Sequence, residues 1–257
     1  MLNIQAEENA VYRIAANKLR IYLRKRGSLL DMVYRYSKNS SQPEIIKIEE
    51  IPSHRENIIS QILIKEDSKE ISIKPQLPDR PIAVNLSTEL RIQANYKATV
   101  YVQIPLWMQL AIMSDAGTVK LTELPSSVLS NTWLGTSETG FIAYSYKSDV
   151  FTEKKPPLKY QETYFAVPVS IDNKKSEIIV VEKLTVPTQY LFLYKKDSLY
   201  KTQPVNIIYK KDTELPQFFI EKSIQEDAEE IISYPREKTS PHMLALGESI
   251  KKIFSGI

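Results

Sequence analysis

A period of two runs through this chain. Lys18 to Arg24 reads K-L-R-I-Y-L-R, with Leu19, Ile21 and Leu23 on one side and Arg20, Tyr22 and Arg24 on the other. An extended strand with one face buried makes that pattern, whereas an amphipathic helix groups its apolar residues three and four apart. Gly27 and Ser28 offer a turn, and the alternation resumes at Met32 to Tyr36 and at Glu44 to Ile51. It continues at Ile58 to Ile64, Glu70 to Lys74, Ile82 to Leu86, Glu89 to Gln93 and Thr99 to Pro105. These runs are short, rich in Ile, Val or Tyr, and bounded by Asn, Asp, Ser, Pro or Lys clusters. Many short strands at such spacing predict an all-β fold of the sandwich or barrel kind, built from antiparallel pairs.

The second half repeats the style at Thr163 to Ile171, Glu177 to Val186, Tyr190 to Tyr194 and Val205 to Tyr209. Asp172 to Lys175 and Lys195 to Asp197 read as linkers. Between the halves, Phe151 to Pro157 is charged and ends in a double proline, the strongest boundary signal in the chain. The expected division is therefore a sandwich-like domain over 1–150 and a second over 158–257. A short echo has two readings, common ancestry of the halves or a chance match of mostly apolar residues: Tyr101 to Pro105 reads Y-V-Q-I-P and Tyr164 to Pro168 reads Y-F-A-V-P. At the C-terminus the period changes. Ser223 and Glu226 fit a capping box, and Ile224, Ala228, Ile231 and Ile232 fall on one helical face before Tyr234-Pro235. Ser240-Pro241 then predicts the start of a second short helix, with Leu246, Ile250, Ile253, Phe254 and Ile257 as its apolar stripe.

Composition narrows the chemistry. The 257 residues include no cysteine, two histidines and six glycines. A disulfide framework, a thiolate nucleophile, an Fe–S cluster and a Cys-ligated zinc are thereby removed. The net charge of +3 is small for a protein held on phosphates by many lysines and arginines. No GxxxxGK[ST], GxGxxG, HExxH or EF-hand pattern is present, and no cofactor or metal is expected. The first twenty residues lack the apolar core of a signal peptide. The longest near-apolar run, Ile104 to Met113, is about half of the ~20 residues a membrane-spanning helix requires. A cytoplasmic chain is expected. The lean on Ile, Lys, Glu and Tyr suits a thermophile, and an AT-rich genome leaves the same mark.

Gly135 to Gly140 reads G-T-S-E-T-G, one residue longer than a nucleophile elbow, with β-pattern on both sides. Ser137 there reads as part of a turn. His54 lies in a polar connection and His242 in the expected last helix, so no Ser–His–Asp relay is suggested. The acidic run Glu226 to Glu230 reads as a solvated helix face. The strip Lys18 to Arg26 could follow a nucleic-acid backbone through Arg20, Arg24, Lys25 and Arg26 with Tyr22 stacking on a base. The competing reading is the wet face of a strand whose charges discourage edge pairing. Trp107 sits among apolar residues and reads as core. Trp133 lies in a segment rich in Ser, Asn, Thr and Gly. An exposed indole there, with Ser130, Asn131 and Thr132 as hydrogen-bonding neighbours and Gly135 and Tyr144 alongside, makes a candidate ligand site; the competing reading is a second anchor of the core.

Ile104-Pro105-Leu106-Trp107, then Leu124-Pro125, then Leu129-Ser130-Asn131-Thr132-Trp133-Leu134-Gly135, with Tyr144 after it, resembles an uncharacterised family of archaeal and bacterial proteins. That family has a P-L-W strand followed by an L-S-x-T-W-x-G loop. Val167 to Asn173 is similar to a P-[LV]-x-I-x-N element of the same family. The resemblance covers most of the chain and implies one evolutionary unit, with the Trp133 loop as its most specific part. It implies no reaction. Together these features lead to a non-enzymatic binding or assembly module that acts through sheet edges or the Trp133 loop, with a protein partner or self-association. Two other readings stand beside it. One is a hydrolase with a carboxylate- or Ser-based site, acting on carbohydrate. The other is nucleic-acid binding through Lys18 to Arg26.

Overall fold

In the computed structural model the described residues are 2–68, 70–115, 117–135, 140–152, 161–211, 216–220 and 228–237. They are nearly all β. Chain order begins with β1 (Leu2–Gln5), β2 (Val11–Arg26), β3 (Leu29–Ile48), β4 (Ile58–Leu63) and β5 (Glu70–Gln76). Next come β6 (Ile82–Ile92), β7 (Tyr96–Pro105), β8 (Trp107–Ser114), β9 (Gly117–Pro125), β10 (Ser130–Leu134), β11 (Phe141–Ser148) and β12 (Val150–Phe151). The remainder are β13 (Tyr164–Asn173), β14 (Ile179–Val186), β15 (Leu193–Lys196), β16 (Leu199–Lys201), β17 (Val205–Tyr209), β18 (Gln217–Ile220) and β19 (Glu230–Ser233).

The chain forms two compact units. The first comprises Met1–Gln76 and Pro105–Val128, the second Leu77–Ile104 and Leu129–Ile257. Each is thus built from separated stretches of sequence, unlike the consecutive halves expected at 1–150 and 158–257. Strands β6 and β7 belong with β10 to β19 across the Phe151 to Pro157 segment, whose residues from 153 lie outside the described ones. The sequence echo has the same explanation. Its two segments lie in β7 and β13, which are neighbours in one sheet of the second unit rather than equivalents in two units.

The first unit holds an antiparallel sheet of order β1-β5-β8-β9 and a second of order β2-β3-β4. In β2 one face is buried as the sequence predicts, with Leu19, Ile21 and Leu23 fully buried, but Tyr22, expected on the wet face with Arg20 and Arg24, is buried as well. The strands are longer than expected. β2 runs 16 residues and β3 runs 20. Gly27 and Ser28 join them, with Arg26 opposite Leu29 and Gly27 at φ +57°, a value that suits glycine in a two-residue hairpin. The polar run Ser37 to Gln42 reads as a break in sequence, yet the ladder passes through it. Asn17 pairs with Ser41 and Leu19 with Tyr36, so β3 bulges there and the extra residues need no partner. Buried Asn17 takes φ +52° at the bulge, and the next two amides, Lys18 N and Leu19 N, donate to Ser126 O at 2.9 and 3.1 Å. Trp107 is buried, as its apolar flanks predict.

The second unit holds one sheet of order β10-β11-β6-β14 and a larger one running β12-β7-β13-β16-β15-β19, with β17 pairing β13 and β18. The expectation of antiparallel pairing throughout is corrected here. β11 and β6 pair in parallel, and so do β13 and β16, and β13 and β17. Parallel neighbours need long connections, and the chain supplies one of them between β6 and β11. Buried Asn173 ends β13 rather than lying in a linker. Its amide nitrogen donates to the carbonyls of Ile92, Gln93 and Glu177 at 3.1, 2.9 and 2.9 Å, and its oxygen accepts from Lys175 N. Asp197 and Ser198, with φ of 51° and 63°, make the two-residue turn between β15 and β16.

The first expected C-terminal helix is also corrected. Glu230–Ser233 is strand β19, paired antiparallel with β15. Helix propensity and a cap are a weak prior, and adjacent Ile231 and Ile232 suit a ladder on the open side of β15. Residues 221–227 and the second expected helix from Ser240 lie outside the described residues. Helical structure among the described residues is limited to 3-10 turns at Gln161–Thr163 and Thr188–Tyr190. No described helix is long and apolar enough to cross a membrane.

Candidate functional site

Trp133 lies on β10, an edge strand, and is 51% exposed. The β10–β11 register places Trp133 opposite Ile142 and Asn131 opposite Tyr144. Directly opposed residues share a face, so Asn131, Trp133, Ile142 and Tyr144 stand together. Ser130 and Thr132 alternate to the other face, on the side of buried Leu134. Of the three polar neighbours named from the sequence, the structure therefore joins only Asn131 to the indole. Gly135 follows β10 at φ +105°, a conformation that glycine alone adopts readily. Ser137 lies outside the described residues.

Tyr144 is fixed from several sides. Its amide donates to Pro81 O at 2.9 Å, and its hydroxyl donates to Asp79 Oδ1 at 2.9 Å. The Arg80 guanidinium carbon lies 5.6 Å from the centre of its ring. Arg80 is itself held through its carbonyl, which accepts from Thr188 Oγ1 at 2.6 Å. Arg236 Nη2 donates to Leu77 O at 2.6 Å, and Arg236 N donates to Gln189 O. Burial and the bond to Asp79 push the Tyr144 phenol up to about 12, while Arg80 and Arg236 pull the other way. At neutral pH the group is a protonated donor, not a base. Asp79, Arg80 and Arg236 were not legible as site residues. The P-D-R-P turn at Pro78 to Pro81 was the one local signal, and Arg236 arrives from far along the chain.

The resulting surface pairs an apolar half, Trp133 with Ile142, with a polar half of Asn131, Tyr144, Asp79 and Arg80. It offers ring faces, the Arg80 cation, the Asp79 carboxylate and hydrogen-bonding groups, with Arg236 close enough to act on Tyr144. Such a surface can bind an extended chain or a flat ring carrying polar groups.

The Lys18 to Arg26 strip is arranged differently. Tyr22 is 2% exposed and presents no face for a base. Arg24 and Arg26 both bond Asp31, at 3.0 and 2.9 Å. Buried Lys25 donates through Nζ to Glu66 O at 2.8 Å, and Arg20 bonds the carbonyls of Asn17, Leu19 and Asn39. Burial works against the Asp31 carboxylate, but bonds from Arg26, Gln61 and Arg24 outweigh it and hold the group at about 2. The cations serve this local network. His54 sits in an exposed turn where Nδ1 accepts from Glu56 N, and His242 lies outside the described residues. Of the acidic run, Glu226 and Asp227 are outside the described residues, while Glu229 Oε1 accepts from Asp197 N. Among the described residues no group of three or more His, Asp or Glu is placed to hold a metal ion.

A family model described as "Protein of unknown function (DUF432)" matches residues 3–249. The match bears out the resemblance to an uncharacterised family. No curated protein matches the chain. Among solved structures the chain is similar to a candidate DNA polymerase III beta subunit from Eubacterium rectale, at 10% identity and a TM-score of 0.15. The similarity covers 75% of this chain and spans 55% of that one. A likeness so remote carries no argument about fold or function.

Proposed function

We propose that this chain, which belongs to the DUF432 family of proteins of unknown function, is a non-enzymatic binding module whose contact surface is the outer face of β10 and β11. The observation that carries this reading is half-exposed Trp133 on β10, an edge strand without a charged residue, paired with half-exposed Ile142 on β11 and beside a fixed Tyr144. Exposed aromatic anchors of this kind supply most of the energy in protein interfaces. An uncharged edge strand can also accept an added strand from a partner. Arg80 and Arg236 at the rim favour a partner segment carrying carboxylates.

The test is native mass spectrometry of the chain purified gently from its source organism, alone and as Trp133→Ala. The expected result is a stoichiometric protein companion that is lost in the variant. The melting temperature should move by no more than about 2 °C, as for other surface substitutions. A drop of many degrees would return Trp133 to the core. A companion retained by Trp133→Ala would place binding elsewhere.

A further inference from the structure

Strand β4 ends the sheet β2-β3-β4 in the first unit. Its sequence, I-I-S-Q-I-L, has no charge and no proline. Ile59 is 71% exposed and Leu63 is 82% exposed. Natural sheets guard such edges with charges, prolines or bulges. This protein does so elsewhere: edge strand β9 carries Lys120, Glu123 and Pro125, and edge strand β14 carries Glu182 and Lys183 with an irregular register. β4 has no such guard.

The backbone agrees with the side chains. Ile64 N donates to Ser28 O at 2.8 Å. Bonding residues alternate along an antiparallel strand, so Ile58, Ser60 and Ile62 face β3 while Ile59, Gln61 and Leu63 turn their N–H and C=O groups outward. Two of the residues with outward backbone groups, Ile59 and Leu63, also carry the most exposed apolar side chains of the strand, ahead of Ile58 at 48%. Gln61 Nε2 donates to Asp31 Oδ1 at 3.0 Å, and Asp31 bonds Arg24, so a polar row crosses all three strands and ends at the open edge.

We propose that β4 pairs antiparallel with β4 of a second copy about a two-fold axis at Gln61, joining two three-stranded sheets into one of six. This register puts Gln61 opposite Gln61 of the second copy and Ile59 opposite Leu63 of the second copy, twice. All outward N–H and C=O groups of Ile59, Gln61 and Leu63 then bond. The apolar pairs cover one another, and the polar row continues through the two glutamines. The strand is suited to its own copy because a two-fold axis opposes identical segments, and a charge at Gln61 would face its like. A single ladder is a small interface, so the dimer is concentration-dependent. This proposal lies in a different unit from the Trp133 face and stands or falls without it.

Sedimentation of the full chain over a concentration series tests it, with circular dichroism to verify folding. The expected result is a monomer–dimer equilibrium. Ile59→Lys with Leu63→Lys opposes lysines across the axis and should abolish the dimer. Ile59→Lys with Leu63→Glu opposes lysine to glutamate in the same register and should retain it. The chain has no cysteine, so Gln61→Cys is a clean probe. Residues opposed at this position lie about 5.5 Å apart at Cα, within disulfide reach. Oxidation should link that variant as a dimer and leave Ser53→Cys, in an exposed loop, monomeric. A monomer at every concentration, a dimer that survives paired lysines, or loss of the dimer in both double variants would overturn the proposal.

Discussion

Asp31 illustrates how one side chain organises a strip of cations. It is buried, yet Arg24, Arg26 and Gln61 surround it. Its carboxyl falls from the ordinary 3.8 to about 2. A carboxyl depressed in the fold stabilises the fold above its unfolded value and loses that contribution as pH falls through the folded value. The window is therefore about pH 4 down to about 2. Asp31→Asn should cost about 2 kcal/mol at pH 7 and flatten the acid limb of a stability–pH curve. Thermal melts at half-unit pH steps check this, and an unchanged acid limb would remove Asp31 from the account. Tyr144 behaves in the opposite sense. Its phenol is raised from 10.0 to about 12. The neutral form is the one favoured by the fold, and its contribution is complete below pH 10 and lost as pH climbs toward 12. Tyr144→Phe should remove the bond to Asp79 and Tyr144's share of the alkaline loss, leaving that of other raised phenols such as Tyr190 and Tyr194, and titration by ultraviolet absorbance would follow it.

The ends and bulges of strands hold much of the specificity. Asn173 closes β13 by bonding carbonyls at and just beyond the end of β6 and before the start of β14. Removing its amide leaves buried carbonyls without partners, at roughly 1–3 kcal/mol. Asn173→Ala should therefore lower the melting temperature by about 2–10 °C in a chain of this size, while Lys174→Ala next to it should do little. Equal effects at the two positions would contradict this role. The β2–β3 hairpin teaches a related lesson. The buried face at Leu19, Ile21 and Leu23 was legible because burial follows alternation. The continuity of β3 through Ser37 to Gln42 was not, because a bulge lets polar residues ride on a ladder without a matched partner. At β10 the same alternation that marks the strand also separates Asn131 from Ser130 and Thr132. A list of neighbours in sequence overstates the site for that reason.

The two units share no simple cut point in the chain. Strands β6, β7, β10 and β11 precede residue 150, yet they belong to the unit completed by β13 to β19. A fragment spanning 158–257 lacks β10, β11 and β6, three of the four strands in one sheet, and β7 and β12 from the other. It should fail to fold in isolation, with a collapsed spread of amide resonances in a proton–nitrogen spectrum; a well-dispersed spectrum would show that the missing strands are dispensable. The double proline after Lys155 is punctuation in sequence, yet β11 before it and β13 after it belong to the same unit. What the sequence alone determined is the β class, the Leu19, Ile21 and Leu23 face of β2, the core role of Trp107 and the family resemblance, while the exposure of Trp133 came from the structure. The first three rest on local period and composition, the resemblance on the P-L-W and L-S-x-T-W-x-G motifs. Tertiary structure decided which strands become neighbours, whether they run parallel, that Glu230–Ser233 extends a sheet rather than coiling, and that Asp79, Arg80 and Arg236 gather around Tyr144. Those outcomes depend on pairing between residues tens of positions apart, where ladder bonds and shared burial outweigh any local preference.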